Sequence, residues 1–248
     1  MTDVLFIHAG VADSRMWGPQ VRSFTPEHRV SAPDLPGFGR APLESDVVDY
    51  RACVRSALDE AGMERAALVG TSLGARIAVE LALESPERVS SLVLVGPGLD
   101  GHDWSQEVRR FGAEEEAALE RADLDGAVEA NLRLWLAGPS RSLDAIDPAV
   151  RELVTDMQRN ALRLQQDREL RFAPLDPPAS GRLAEVQAPT LVLTGDEDVG
   201  DIHQIADKLA AEIPRAERAT IADAAHLPNL ERPEEFDRIV LGFLRRAR

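Results

Sequence analysis

The sequence predicts an α/β fold: a mainly parallel sheet flanked by helices, with a helical segment inserted in the middle of the chain. Three observations predict it. Strand and helix signals alternate along most of the chain. Ser72 sits in Gly70-Thr71-Ser72-Leu73-Gly74, between an apolar strand-like run and a helical run. From about residue 99 to 183 the pattern changes to apolar residues at helical spacing, with no strand run. At 248 residues and 44% hydrophobic content, the chain can bury one large core and carry an insertion.

Taken in order, residues 4–8 read as a strand, 14–24 as a helix carrying Met16, Trp17 and Val21, and 29–32 as a short strand. Residues 47–61 read as a helix stopped by Gly62. The run Ala66-Ala67-Leu68-Val69 has no charge and reads as a buried strand, followed by a helix over 73–83 and a strand over 91–95. In the inserted segment Val128, Leu132, Trp135 and Leu136 form one stripe. Val150, Leu153, Val154, Met157, Ala161 and Leu164 form another. Pro174, Pro177, Pro178 and Gly181 mark its exit. Strand, helix, strand and helix then follow over 190–193, 202–211, 219–221 and 233–246, the last opened by Pro233. This divides the chain into a core of residues 1–98 and 183–248 and a lid of residues 99–182.

Composition narrows the partners. A net charge of −15 argues against nucleic acid or an anionic membrane as the main partner. The only lysine, Lys208, lies in a polar helical stretch, a poor place for a Schiff base. Cys53 is the only cysteine and reads as a packed thiol; the five histidines show no metal-ligand spacing. No cofactor or metal is expected. Nothing resembles a signal peptide or a membrane-spanning run, so a cytoplasmic protein is expected. The acidic run Glu114-Glu115-Glu116 reads as a solvated helix face.

A serine on a strand-to-helix turn is held at an exposed, strained point. Its flanking glycines are needed because side chains there would strike the neighbouring helix and strand. The helix N-terminus behind it offers backbone N–H groups and a positive dipole end to a developing oxyanion. Such a serine needs a base and a group to orient that base. His226, after the last strand signal, fits the base. Asp196 and Asp198, after the strand at 190–193, both fit the orienting acid by placement.

Five blocks in order now carry a resemblance. Besides the serine turn, they are Leu5-Phe6-Ile7-His8-Ala9-Gly10, Asp34-Leu35-Pro36-Gly37-Phe38-Gly39, Gly195 with Asp198, and Ala225-His226 followed by Glu231-Arg232-Pro233-Glu234. The chain resembles the α/β-hydrolase superfamily over nearly its whole length, with a helical lid after the sixth strand of the family's sheet. The resemblance implies Asp198 rather than Asp196 as the acid, and an oxyanion hole from the amides of Gly10 and Leu73. It implies that His8 and Asp34 brace loops. Relatives carry an N-terminal antiparallel hairpin that this sequence lacks, so a sheet of about six strands is expected. An uncovered sheet edge there would favour a homodimer.

Relatives differ by nucleophile and lid. A serine at position 72 argues against haloalkane dehalogenases and epoxide hydrolases, which use aspartate. Carbon–carbon bond hydrolases typically carry tryptophan after the base histidine, where this chain has Leu227. Hydrolysis of a small-molecule carboxylic ester, lactone or thioester remains, similar to small bacterial esterases and enol-lactone hydrolases. Carbon–carbon hydrolysis, or a non-hydrolytic binding or cyclase role on the same fold, is the alternative. Trp104, Trp135 and Met157 are the candidate substrate contacts in the lid. Arg76, four residues past the serine, reads as a salt-bridge partner rather than a substrate contact.

Overall fold

The computed structural model describes residues 2–247 apart from Asp167 and Glu169. Six strands form one parallel sheet: β1 (Thr2–Ile7), β2 (His28–Ser31), β4 (Ala66–Thr71), β5 (Val89–Val95), β7 (Thr190–Gly195) and β8 (Ala216–Ile221). Their order across the sheet is β2-β1-β4-β5-β7-β8, each pair parallel. The chain therefore winds outward from β1 to β2, then crosses back to β4 and continues the other way. Open parallel sheets place ligands at the C-terminal strand ends beside such a reversal. Ser72 directly follows β4, at that place.

Both faces of the sheet's centre are buried, as the charge-free strands β4, β5 and β7 require. Leu5, Ile7, Leu68, Leu92 and Leu94 face one core, against α2 (Tyr50–Glu60), α3 (Leu73–Glu84) and α7 (Gly200–Glu212). Val4, Phe6, Val69, Val93 and Val95 face the other, against α1 (Gly18–Phe24), the short α8 (Pro228–Glu231) and α9 (Pro233–Arg246). Trp17 anchors that second core, stacked on Phe6 at 4.7 Å. Such aromatic pairs add about 0.5–1.5 kcal/mol beyond their burial.

Between β5 and β7 the chain forms α4 (Gln106–Glu120), α5 (Leu124–Asn131), a π-helical turn (Leu132–Ala137) and α6 (Pro148–Gln165). Their starts are legible in polar caps. Asp123 accepts the Gly126 amide at 2.9 Å, and Asp147 accepts the Ala149 amide at 2.8 Å ahead of Pro148. Among the described residues no helix is long and apolar enough to cross a membrane.

Three local expectations fail for physical reasons. Residues 47–48 are a short strand, β3 (Val47–Val48), rather than the first turn of a helix. Asp49 ends it by capping α2, accepting the Arg51 and Ala52 amides at 3.1 and 3.3 Å. The inserted segment does contain a strand, β6 (Arg171–Phe172), which pairs in parallel with β3. Two residues are too few to show a period of two. The acidic run is not uniformly solvated: Glu115 is half-buried and accepts a hydrogen bond from Asn131 of α5 at 2.7 Å.

Candidate active site

Ser72 occupies φ 54°, ψ −109°, a backbone region costly for a residue with a side chain. The glycines around it are forced by close approach. A Cβ on Gly70 would lie 2.3 Å from the Gly74 carbonyl oxygen, and one on Gly74 would lie 2.2 Å from the Ile7 carbonyl oxygen. The turn can therefore pass between β1 and α3 only with glycine at both places. Hydrogen bonds hold it there: the Ser72 amide donates to Val95 at 2.9 Å, and its carbonyl accepts from Arg76 at 3.0 Å and Gly98 at 3.2 Å.

His226 and Asp198 come together from two separate loops. The Nδ1–H of His226 donates to Asp198 Oδ2 at 2.8 Å, and both side chains are essentially buried. The other carboxylate oxygen of Asp198 accepts the Val199 amide at 2.8 Å. Asp196 instead faces the Ala224 amide, at 3.4 Å. Of the two acids that fit by placement, the structure brings only Asp198 to the histidine. Two residues after β5 join the groups: a Cβ on Gly96 would lie 3.0 Å from His226 Nδ1, and one on Gly98 would lie 3.3 Å from the Ser72 carbonyl oxygen. His226 Nε2 is buried and has no hydrogen-bond partner among the described residues. An unmade hydrogen bond at a buried nitrogen costs about 1–3 kcal/mol.

Gly10 and Leu73 face one another across the site. A Cβ on Gly10 would sit 3.9 Å from the Leu73 Cβ, in ordinary contact. Leu73 opens α3, where backbone N–H groups have no partner within the helix. The two bracing residues also have their partners. His8 Nε2 accepts the Leu35 amide at 2.9 Å, so its Nδ1–H donates to the Ala9 carbonyl at 2.8 Å. Burial lowers the pKa of His8, which keeps it neutral in that tautomer. Asp34 accepts the Ser14 and Arg40 amides, each at 2.9 Å. Burial alone would raise its pKa, but these donors hold it below the ordinary value.

Each of the three lid candidates has a defined setting. The Trp135 ring lies 4.6 Å from the His226 ring, tilted by 39°, and its carbonyl accepts the His226 amide at 3.3 Å. Met157 is fully buried, with its sulfur 3.5 Å from the Asp13 amide just past Gly10. Trp104 packs against the same core as Trp135. Its ring packs edge-on against His102 at 5.0 Å, and its neighbours His102 and Ser105 are both held by Asp201 of α7. Arg76 forms ion pairs with Glu80 at 2.7 Å and Asp100 at 3.4 Å, as the salt-bridge reading expects.

A strained serine, a buried histidine–carboxylate pair and a helix N-terminus on a parallel sheet define a hydrolase of the nucleophile-elbow type. The chain belongs to the alpha/beta hydrolase family, whose sequence model matches residues 4–239. It is 26% identical to carboxylesterase YbfK of Bacillus subtilis over 97% of this chain and 79% of that protein. It is 31% identical to a 2-hydroxy-6-oxononadienedioate/2-hydroxy-6-oxononatrienedioate hydrolase of Burkholderia vietnamiensis, over 88% of this chain and 77% of that one. Its fold matches the crystal structure of the enol-lactonase from Burkholderia xenovorans LB400 with a TM-score of 0.79, covering 98% and 91% of the two chains at 21% identity.

Sequence reading passed over several residues that shape this site. Gly96 and Gly138 both have positive φ, 45° and 76°. A Cβ on Gly138 would lie 2.0 Å from the Glu197 carbonyl oxygen, which presses the lid against the acid loop. Isolated glycines carry no such message in sequence. Arg141 was equally silent, one arginine among many on a charged segment.

Proposed function

We propose that this chain is a serine hydrolase that cleaves a carboxylic ester, lactone or thioester of a small molecule through an acyl-enzyme on Ser72. The observation that carries the reading is the strained Ser72 elbow gathered with the 2.8 Å His226–Asp198 pair around Gly96 and Gly98. His226 Nε2 takes the Ser72 proton as the hydroxyl oxygen attacks the substrate carbonyl. The amides of Gly10 and Leu73 hold the oxyanion. Asp198 keeps the proton on Nδ1 and stabilises the imidazolium that forms. His226 then gives its proton to the leaving alcohol, and water completes the cycle by the same route. Trp135, beside His226, contributes to the apolar wall with Met157 and Trp104.

Similarity to a named carboxylesterase supports the ester reading. The dienoate hydrolase relative supports a second reading, carbon–carbon bond cleavage by the same residues. Leu227, rather than tryptophan, after His226 favours the first. Turnover of p-nitrophenyl acetate, butyrate and octanoate beside a 2-hydroxy-6-oxo-dienoate tests both. Ester turnover lost in Ser72→Ala supports the proposal; dienoate cleavage without ester turnover overturns it in favour of the second reading. The β2 edge is further proposed as the seam of a homodimer, and a purely monomeric mass in size-exclusion light scattering would overturn that.

A further inference from the structure

The lid segment that follows the π-helical turn is fastened to the loop that carries the base. Arg141 does most of the fastening. Its Nε donates to the Ala137 carbonyl at 2.8 Å and its Nη2 to the Leu136 carbonyl at 3.1 Å, both in the lid. Its Nη1 donates to the Asp223 carbonyl at 3.2 Å, just before the histidine loop, and pairs with Glu231 at 2.8 Å. A planar guanidinium can serve four acceptors in this way; a lysine ammonium cannot span the same geometry.

Glu231 passes the connection on. Its second oxygen accepts the Ala225 amide at 2.8 Å, one residue before His226. The next amide, that of His226, donates to the Trp135 carbonyl of the lid. Successive amides of the histidine loop are thus held by a carboxylate that the lid arginine orients and by the lid backbone itself. Glu231 is only 6% exposed, so this ion pair is shielded from water rather than spread over the surface. Gly138 and the Ser140–Glu197 hydrogen bond lay the same strap on the acid loop. Few arginine–carboxylate pairs among the described residues combine such burial on both partners with a link to the site.

We propose that Arg141 is a positioning residue: through Glu231 and the lid carbonyls it sets where His226 stands relative to Ser72. This rests on the serine hydrolase reading for its kinetic consequence and on geometry alone for its structural one. A displacement of the base by about 1 Å can cost about 10²-fold in rate. Losing the strap therefore lowers kcat while a small substrate still enters and binds.

The test uses the full chain with Arg141→Met, Arg141→Lys and Glu231→Gln, and Arg159→Met as a lid ion-pair control. Arg159 pairs with Asp125 on the outside of the lid. Steady-state kinetics on p-nitrophenyl acetate are normalised to active sites counted by the endpoint of fluorophosphonate labelling. We expect kcat per site to fall at least 10-fold in Arg141→Met, with KM within 2-fold. Arg141→Lys falls between, because it keeps the pairing with Glu231 but not the lid carbonyls. Arg141→Met/Glu231→Gln loses no more than the worse single variant. A merely structural role would lower Tm and the number of labelled sites, and leave kcat per site unchanged; that result overturns the proposal. The downfield proton resonance of the His226–Asp198 hydrogen bond reads the strap without turnover. It shifts or broadens in Arg141→Met and not in Arg159→Met. An inactive wild type would count against the hydrolase reading alone, and an unmoved resonance in Arg141→Met would still overturn the strap.

Discussion

Asp198→Asn tests the buried pair through its hydrogen-bond arithmetic. Asp198 accepts on both oxygens: the Val199 amide on one and His226 Nδ1–H on the other, each at 2.8 Å. An asparagine has one acceptor and one donor end. The Val199 amide claims the acceptor oxygen, so the NH2 group turns to His226. Nδ1 must then accept, which moves the ring proton to Nε2. A protonated Nε2 cannot take the Ser72 proton. The imidazolium also loses its counter-charge in a site shielded from water. A wrong-tautomer substitution of this kind costs roughly 10⁴-fold in kcat, about 5 kcal/mol at 1.36 kcal/mol per decade. The assay is kcat on p-nitrophenyl acetate, with Asp196→Asn alongside. Among the described residues the Asp196 side chain meets the Ala224 amide alone, at 3.4 Å, so its variant should stay within about 3-fold. A loss under 10-fold in Asp198→Asn, or a larger loss in Asp196→Asn, refutes the reasoning.

The same glycine-to-alanine change should give opposite results at two places. Gly10→Ala meets only ordinary contacts with Leu73, so Tm should hold within a few degrees. The added methyl narrows the site and should reduce octanoate against acetate turnover by roughly 10-fold. Gly96→Ala places a methyl 3.0 Å from His226 Nδ1 at a φ of 45°, and kcat on acetate should drop by about 10²-fold even where the protein folds. Glu115→Gln tests a buried charge. Burial raises the pKa of Glu115 above its ordinary 4.5, so the folded protein holds a proton that the unfolded chain has released. Wild-type stability therefore falls as pH rises from 4.5 through the folded value. The glutamine keeps the bond to Asn131 without that loss, so its Tm should exceed the wild type's at pH 7 and converge with it below pH 4.5. Parallel Tm curves would contradict this.

The sheet and the meeting of Asp198 with His226 were legible because several levels of the sequence agree there. Apolar strands without charge, a serine bracketed by glycines, and loop acids and a histidine in a fixed order all point to one arrangement. Asp196 and Asp198 could not be separated by placement alone, since both leave the same strand; the neighbouring amides separate them. The lid was legible as helices and not as contacts. Trp104, Trp135 and Met157 look alike in sequence, and only the fold shows that Trp135 lies against His226 while Trp104 lies against His102. The helix expected from residue 47 failed because Val47 and Val48 satisfy helical and strand spacing equally, and Asp49 makes the break. Arg141 and Glu231 stand 90 residues apart in sequence, and only folding brings their charges together.

Labelling with a fluorophosphonate probe, followed by peptide mass spectrometry of wild type and Ser72→Ala, tests the central claim most directly. An activated serine in this geometry should give a single adduct on the peptide carrying Ser72, abolished in the variant, with kcat on esters reduced by roughly 10⁴–10⁶-fold. A folded wild type without an adduct, or an adduct that persists in Ser72→Ala, would contradict the assignment of Ser72 as the nucleophile.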